Sequence, residues 1–285
     1  MPILTDLKET ITRFLSHDGP VMAGHLAFLS LLGLFPFLLF LVALAGFVGQ
    51  TETGANAVEF LFSNLPPDVR NVLEGPVKNL LNQSRGGMLT FGVLAAIWVA
   101  SSAIDAARHA IDRAYEAGNP PAFWLRRLQG LGLVIMAAIS ILLGMSIFVL
   151  GPVAWDAATY FVPILTAWSG FANGIRFASS ALLFFLALCG LFFALKPRHG
   201  GFFVAVAPGA FLTLVLWLSV GSAFSIYLQY FGNYDVTYGS LGGAMIALVF
   251  FYLVGAAFIL GAELNAVITR RRLEKKQADT KAPHD

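Results

Sequence analysis

The sequence predicts an all-α integral membrane protein, with six transmembrane helices in a bundle and short amphipathic helices in the first extracytoplasmic loop. Three observations carry this. Of 285 residues, 58% are hydrophobic and 12% charged, with mean hydropathy +0.76. A soluble domain carries roughly 25% charged residues, so half that density cannot cover a water-facing surface of this size. Stretches free of Asp, Glu, Lys and Arg recur at the length of about 20 residues needed to cross hydrocarbon. The basic residues fall mostly on one side of those stretches. A soluble enzyme, a disordered chain and a nucleic-acid binder are excluded as first readings.

The elements follow in order. The N-terminus opens with a mixed-charge stretch, Asp6, Lys8, Glu9, Arg13, His17 and Asp18. The apolar run after it is too long for a signal-peptide core and closes without a small-residue cleavage site. The charge-free gaps place spans at about 21–49, 87–110, 128–153, 176–195, 202–228 and 239–269. A further gap, residues 157–175, carries Pro163, Gly170 and Gly174 with Tyr160, Phe161, Trp168 and Phe171. Breakers and aromatics at that density predict an interfacial or re-entrant loop, not a seventh span. In the first outer loop, Val58, Leu61, Phe62 and Leu65 precede Pro66-Pro67. Val69, Val72, Leu73, Val77, Leu80 and Leu81 follow them at helical spacing. Segment 54–82 is therefore expected to form extracytoplasmic amphipathic helices. Residues 1–272 make a single membrane domain, and 273–285 a polar, frayed cytoplasmic tail.

Charge distribution sets the orientation. With six spans, Lys8, Arg13, Arg108, Arg113, Arg126, Arg127, Lys196, Arg198, Arg270, Arg271, Arg272, Lys275, Lys276 and Lys281 share a side with both termini. Only Arg70, Lys78, Arg85 and Arg176 face the other way. The positive-inside rule then puts both termini in the cytoplasm. The basic tail reads as an anchor to anionic lipid. The expected partner is the bilayer. Nucleic acid is not expected, and association into a homo-oligomer is left open.

Ionisable groups inside spans are costly and usually face a bundle interior. His25 opens the first span. Asp105, Arg108, His109 and Asp112 lie at offsets 0, 3, 4 and 7 on one face ending the second. Glu263 and Asn265 lie inside the end of the sixth. The economical geometry is convergence, making His25, Asp105, Arg108, Asp112, Glu263 and Asn265 a candidate intramembrane polar site. It reads either as a knot fixing helix register or as a substrate- or proton-handling site. Glu263 is the leading candidate, being the deepest acid without an opposite charge within a turn of its own helix. If it is titratable, Glu263→Gln should fold normally and lose function, which is the expected result. If it is paired with Arg108 or His25, the same change should destabilise. Pro36, Pro208, Gly239 and Gly243 are candidate hinge or close-packing positions, as is the Ala257/Gly261 spacing. Cys189 is read as a buried small hydrophobe. No phosphate loop, dinucleotide fingerprint, metal-ligand spacing or nucleophile elbow occurs, so no cofactor, metal or catalytic residue is predicted.

Three segments resemble one family. AGHLAFLSLLGLFPFLLF (23–40) is similar to the first-span motif of the YihY/BrkB family of bacterial inner-membrane proteins. IDRAY (111–115), with Phe123-Trp124 and Arg126-Arg127, resembles its cytoplasmic loop. YGSLGG opening and GAELNA closing 238–266 resemble its last span. Asp112 stands where the family is expected to favour Asn. The resemblance implies a six-helix inner-membrane protein, some of whose members have carried ribonuclease BN and virulence-factor labels. The nuclease is rejected here, because the carboxylates and histidines are scattered or charge-paired without a hydrolytic metal set. A transporter or flippase-like protein for a small solute or lipid-linked molecule is expected, and the alternative is an envelope-integrity scaffold. A water-accessible cavity reaching Glu263 favours the first, and a packed bundle with Glu263 paired favours the second.

Overall fold

A computed structural model describes residues 2–48, 86–118, 122–161, 169–197, 205–231 and 241–281. Among the described residues the regular structure is helical, with no strand. Seven α-helices run in order: α1 Pro2–Ser16, α2 Gly19–Val48, α3 Gly86–Ala114, α4 Phe123–Phe161, α5 Ser169–Leu195, α6 Ala207–Phe231 and α7 Leu241–Lys281. Among the described residues four stretches are long and apolar enough to cross a membrane: Phe123–Gly144, Phe177–Leu195, Ala207–Tyr227 and Gly243–Lys275. Gly19–Leu34 is a shorter apolar helix. The expected amphipathic segment 54–82 lies outside the described residues.

Three local differences from the sequence expectations have physical reasons. Residues 2–16 form a helix, α1, where only a charged stretch was anticipated. The described parts of 157–175 are the end of α4 and the start of α5, so Gly170 and Gly174 are accommodated within a helix. The tail does not fray at Leu273, because α7 continues to Lys281. An i,i+4 pair supports that extension, with Arg270 Nε donating to Glu274 Oε1 at 3.0 Å.

The described chain divides into two compact units. One comprises Met1–Leu31, Ala103–Gln129 and Leu188–Asp285. Its centre is α7, which is buried on every side from Gly261 to Val267. A helix buried all round must be encircled by others. Ala23, Leu26 and Ala27 of α2, Ala110, Ile111 and Ala114 of α3, and Leu188, Cys189 and Phe192 of α5 share this core. Phe192 stacks on Phe258 with ring centroids 4.8 Å apart. The other unit, Leu32–Ser102 and Gly130–Ala187, buries Ile97, Ala100, Leu133, Val134 and Ala138.

The most extensive helix pair is α6 with α7. Lipid tails are as apolar as leucine, so helices in a bilayer associate through close packing and hydrogen bonds. A Cβ on Gly209 would collide with the Gly261 carbonyl and the Asn265 amide. One on Gly261 would collide with Thr213 Oγ1 and the Gly209 carbonyl. Trp217 Nε1 donates to the Val254 carbonyl at 2.9 Å, and Thr213 Oγ1 to the Ala257 carbonyl at 3.4 Å. Outward faces remain apolar, with Phe211, Leu218 and Val249 all more than half exposed. A water-soluble protein does not present so much of this surface.

Candidate functional site

Among the described residues Glu263 is the most buried acidic or basic side chain, at 1% exposure. Its partners come from the N-terminus. Arg13 Nε donates to Oε2 at 3.3 Å, and His17 Nδ1 lies 2.7 Å from Oε1 with the geometry of an N–H donating to a carboxylate. Burying a carboxylate without a counter-charge is expensive. Here one guanidinium and one imidazole meet both oxygens.

The sequence of α1 explains how this is reached. Asp6, Glu9, Thr10, Arg13 and His17 recur at steps of three and four, so they form one stripe. Leu7, Ile11 and Leu15 form another and are exposed. The polar stripe is the one that packs on α7. Arg271 pairs with Asp6 and with Glu9, the latter at 2.8 Å. Thr10 is buried, with its hydroxyl donating back to the Asp6 carbonyl at 2.8 Å.

Arg13 also closes the end of α3. Its Nη2 donates to the Ala114 carbonyl at 3.1 Å and to Glu116 Oε1 at 2.8 Å. The last helical carbonyls have no intrahelical partner, so Arg13 satisfies one of them. Glu116 N–H bonds the Arg113 carbonyl and Ala117 N–H the Asp112 carbonyl, a Schellman end with Glu116 at the left-handed position, φ 52°. A non-glycine residue there costs roughly 1–2 kcal/mol. The end of α1 repeats the device. Asp18 has φ 58°, and Arg113 Nη2 donates to its Oδ2 at 2.5 Å. Two helix ends are thus clasped reciprocally, with each strained acid holding the arginine of the other helix.

The Arg13 guanidinium, through its hydrogen bond and its charge, holds the Glu116 carboxyl below the usual carboxylate range. A depressed acid adds stability above its unfolded value and loses it as pH falls through the folded one. Glu116 is largely solvent-exposed, so screening keeps the effect small. Acidification from neutrality to pH ~3 should therefore lower the unfolding temperature more in the wild type than in Glu116→Gln, with the difference arising at and below the ordinary glutamate range of about 4.3. Parallel acid melts would sink this reading.

The other predicted site residues do not join Glu263. His25 is exposed on α2. Arg108 is buried, and its Nη2 donates to Gln129 Oε1 at 2.7 Å. Asp105 pairs with Arg127 at 3.3 Å. Asp112 is half-buried within electrostatic reach of Arg108, His109 and Arg126. Asn265 faces α6, where its Oδ1 accepts the Gly209 N–H at 2.7 Å and so caps the α6 N-terminus from a neighbouring helix. The expected single cluster is three separate assemblies. Arg108 stays with Gln129 on the start of α4, and His25 faces outward, so Glu263 is met by α1 instead.

The backbone candidates resolve similarly. Pro36 lies inside α2. Pro208 is the second residue of α6, where a missing N–H costs nothing, so it starts a helix and is no hinge. Gly239 lies outside the described residues. A Cβ on Gly243 would meet nothing within 4 Å, so close packing occurs at Gly209 and Gly261 instead. A cavity of about 260 Å³ borders the clasp, lined by Arg13, Tyr115, Glu116, Thr269, Arg270 and Gln277 among others. Burial raises the Tyr115 phenol above its usual value. Among the described residues no three His, Cys, Asp or Glu side chains group as a metal set.

Long apolar helices around a buried, charge-neutralised carboxylate define a helical membrane protein. The chain belongs to the family described as Virulence factor BrkB, whose profile matches residues 10–285. It is similar to the ribonuclease-like protein YfkH of Bacillus subtilis, 31% identical over 93% of this chain and 96% of that one. It is also similar to a UPF0761 membrane protein of Pseudoalteromonas atlantica, 27% identical over 90% and 85%. Another, from Chromohalobacter salexigens, is 26% identical over 95% of this chain and 64% of its own length. No solved structure matches.

Proposed function

We propose that the chain is a six-span inner-membrane protein with both termini cytoplasmic, acting as a transporter or flippase for a small solute or lipid-linked molecule. The observation that carries this reading is the origin of the Glu263 partners. A knot that only fixed helix register would draw its cations from the spanning helices. Arg13 lies instead on α1 and His17 directly after it, in a segment ahead of the first predicted span and tied to α7 by ion pairs. Such an element can leave without unpacking the core. Its departure would free a carboxylate within the membrane domain for a proton or a cationic group. On this reading the arrangement with Glu263 paired is the closed state. The full pairing itself favours the second reading, an envelope-integrity scaffold in which the assembly never opens.

Reporter fusions after Arg113, Pro197 and Arg272 should read cytoplasmic, and fusions near Asp68 and Asp235 extracytoplasmic. Lipid and metabolite profiles of deletion and wild-type membranes should differ in one compound class. Reconstituted protein should move that class across vesicles. Unchanged profiles together with an inert reconstituted protein would leave only the scaffold. Neither reading includes RNA hydrolysis. Purified protein should leave RNA intact, and metal-dependent cleavage abolished by Asp105→Asn would contradict this.

A further inference from the structure

A second polar assembly, independent of Glu263 and of the transport reading, joins the end of α3 to the first turns of α4. Three guanidiniums gather there. Arg108 is 3% exposed, donates to the neutral Gln129, and leaves its Nε without a partner. Arg126 lies near enough to repel it, and its own Nη2 faces His109 Nε2 at 3.4 Å. Arg127 pairs with Asp105 at 3.3 Å and sits over the Phe123 ring, 5.8 Å from its centroid. Among the described residues the acids facing Arg108 are Asp105 and Asp112, and Asp105 is already engaged by Arg127.

A buried, incompletely bonded arginine beside a second arginine is costly unless an anion completes it. The N–H groups opening α4 add positive potential at the same place. The rim indicates what carries that anion. Phe123, Trp124 and Leu128 are exposed, Trp124 at 75%, on the turns that hold Arg126 and Arg127. Phe123 and Trp124 meet edge to face at 5.4 Å. Exposed aromatics beside arginines, where an apolar span begins, match the headgroup level of a bilayer. Basic pockets between membrane helices recognise phosphate headgroups in this way.

We propose that Arg108, Arg126 and Arg127, rimmed by Phe123 and Trp124, bind the phosphate of an anionic phospholipid. The guanidiniums take the phosphate oxygens, and the rim takes the glycerol and upper acyl region.

The test is native mass spectrometry of the full-length protein released from micelles containing equal phosphatidylglycerol and phosphatidylcholine. Wild type should retain phosphatidylglycerol in preference. Arg126→Gln should lower that retention about tenfold, the value of a charged hydrogen bond. Trp124→Ser should lower it without altering any response to inorganic phosphate. Arg126 is half-buried, so its variant is expected to fold even where Arg108→Gln fails. Equal retention of both lipids, or equal retention by wild type and Arg126→Gln, would overturn the proposal. Stabilisation by inorganic phosphate that depends on Arg126 without lipid retention would overturn the lipid as the source.

Discussion

Arg13→Gln is expected to destabilise the protein by about 3–5 kcal/mol, because it strands the Glu263 carboxylate in the core with only His17 beside it. That corresponds to a fall in unfolding temperature on the order of 10 °C. Glu263→Gln should cost less, since Arg13 keeps the exposed Glu116 carboxylate as a counter-charge but loses the buried one. The double variant Arg13→Gln/Glu263→Gln should recover most of the loss, because two neutral amides can bond without leaving an ion behind. Thermal unfolding in detergent of the four proteins forms the cycle. Additive losses, or an Arg13→Gln protein as stable as wild type, would refute the pairing. The expectation from sequence was that Glu263→Gln would fold normally. The guanidinium and the imidazole on its oxygens reverse that expectation for stability, and loss of activity in a folded remainder would still support the transport reading.

The second large effect belongs to the α6–α7 seam. Gly261→Val should cost at least the roughly 1–3 kcal/mol of ordinary overpacking. The new atoms would meet the hydroxyl of the fully buried, β-branched Thr213 and the Gly209 backbone. Backbone cannot step aside without moving α6 and breaking the Asn265–Gly209 and Trp217–Val254 hydrogen bonds. Gly243→Ala is the control. Its Cβ enters open space, and alanine is the better helix former by roughly 0.5–1 kcal/mol, so that variant should be unchanged or slightly more stable. Detergent unfolding temperatures in the reverse order would show that the seam is not the tight element.

How much of this was legible depends on which residues carried it. The membrane class and the all-helical character were readable, because long charge-free gaps have few alternatives, whereas four of the six expected spans reappear as long apolar helices among the described residues. The Ala257/Gly261 spacing correctly marked a close approach, whereas Gly243, similar in sequence, faces open space. Spacing reports that two small residues share a face, not that another helix meets that face. Glu263 was readable as costly. Its partners were not, because Asp6, Glu9, Arg13 and His17 look like a solvated stretch until their three- and four-residue steps are noticed. The apolar stripe Leu7, Ile11 and Leu15 in the same helix was an equally available signal. Pro208 was read as a break inside a long apolar run, since nothing in that run said where α6 begins. Asn265 reaches an N–H 56 residues away, and no local pattern encodes that distance.

The Arg13–Glu263 pair joins residues 250 apart in the chain. During synthesis α1 emerges first and α7 last, at about 5–20 residues per second. For most of that time Asp6, Glu9, Arg13 and His17 have no acceptors or donors from α7. Their assembly can close only once α7 has left the ribosome. A chain truncated before Glu263 keeps the α1–α3 clasp but leaves the charged stripe of α1 without its α7 partners, a difference a quality-control protease could read.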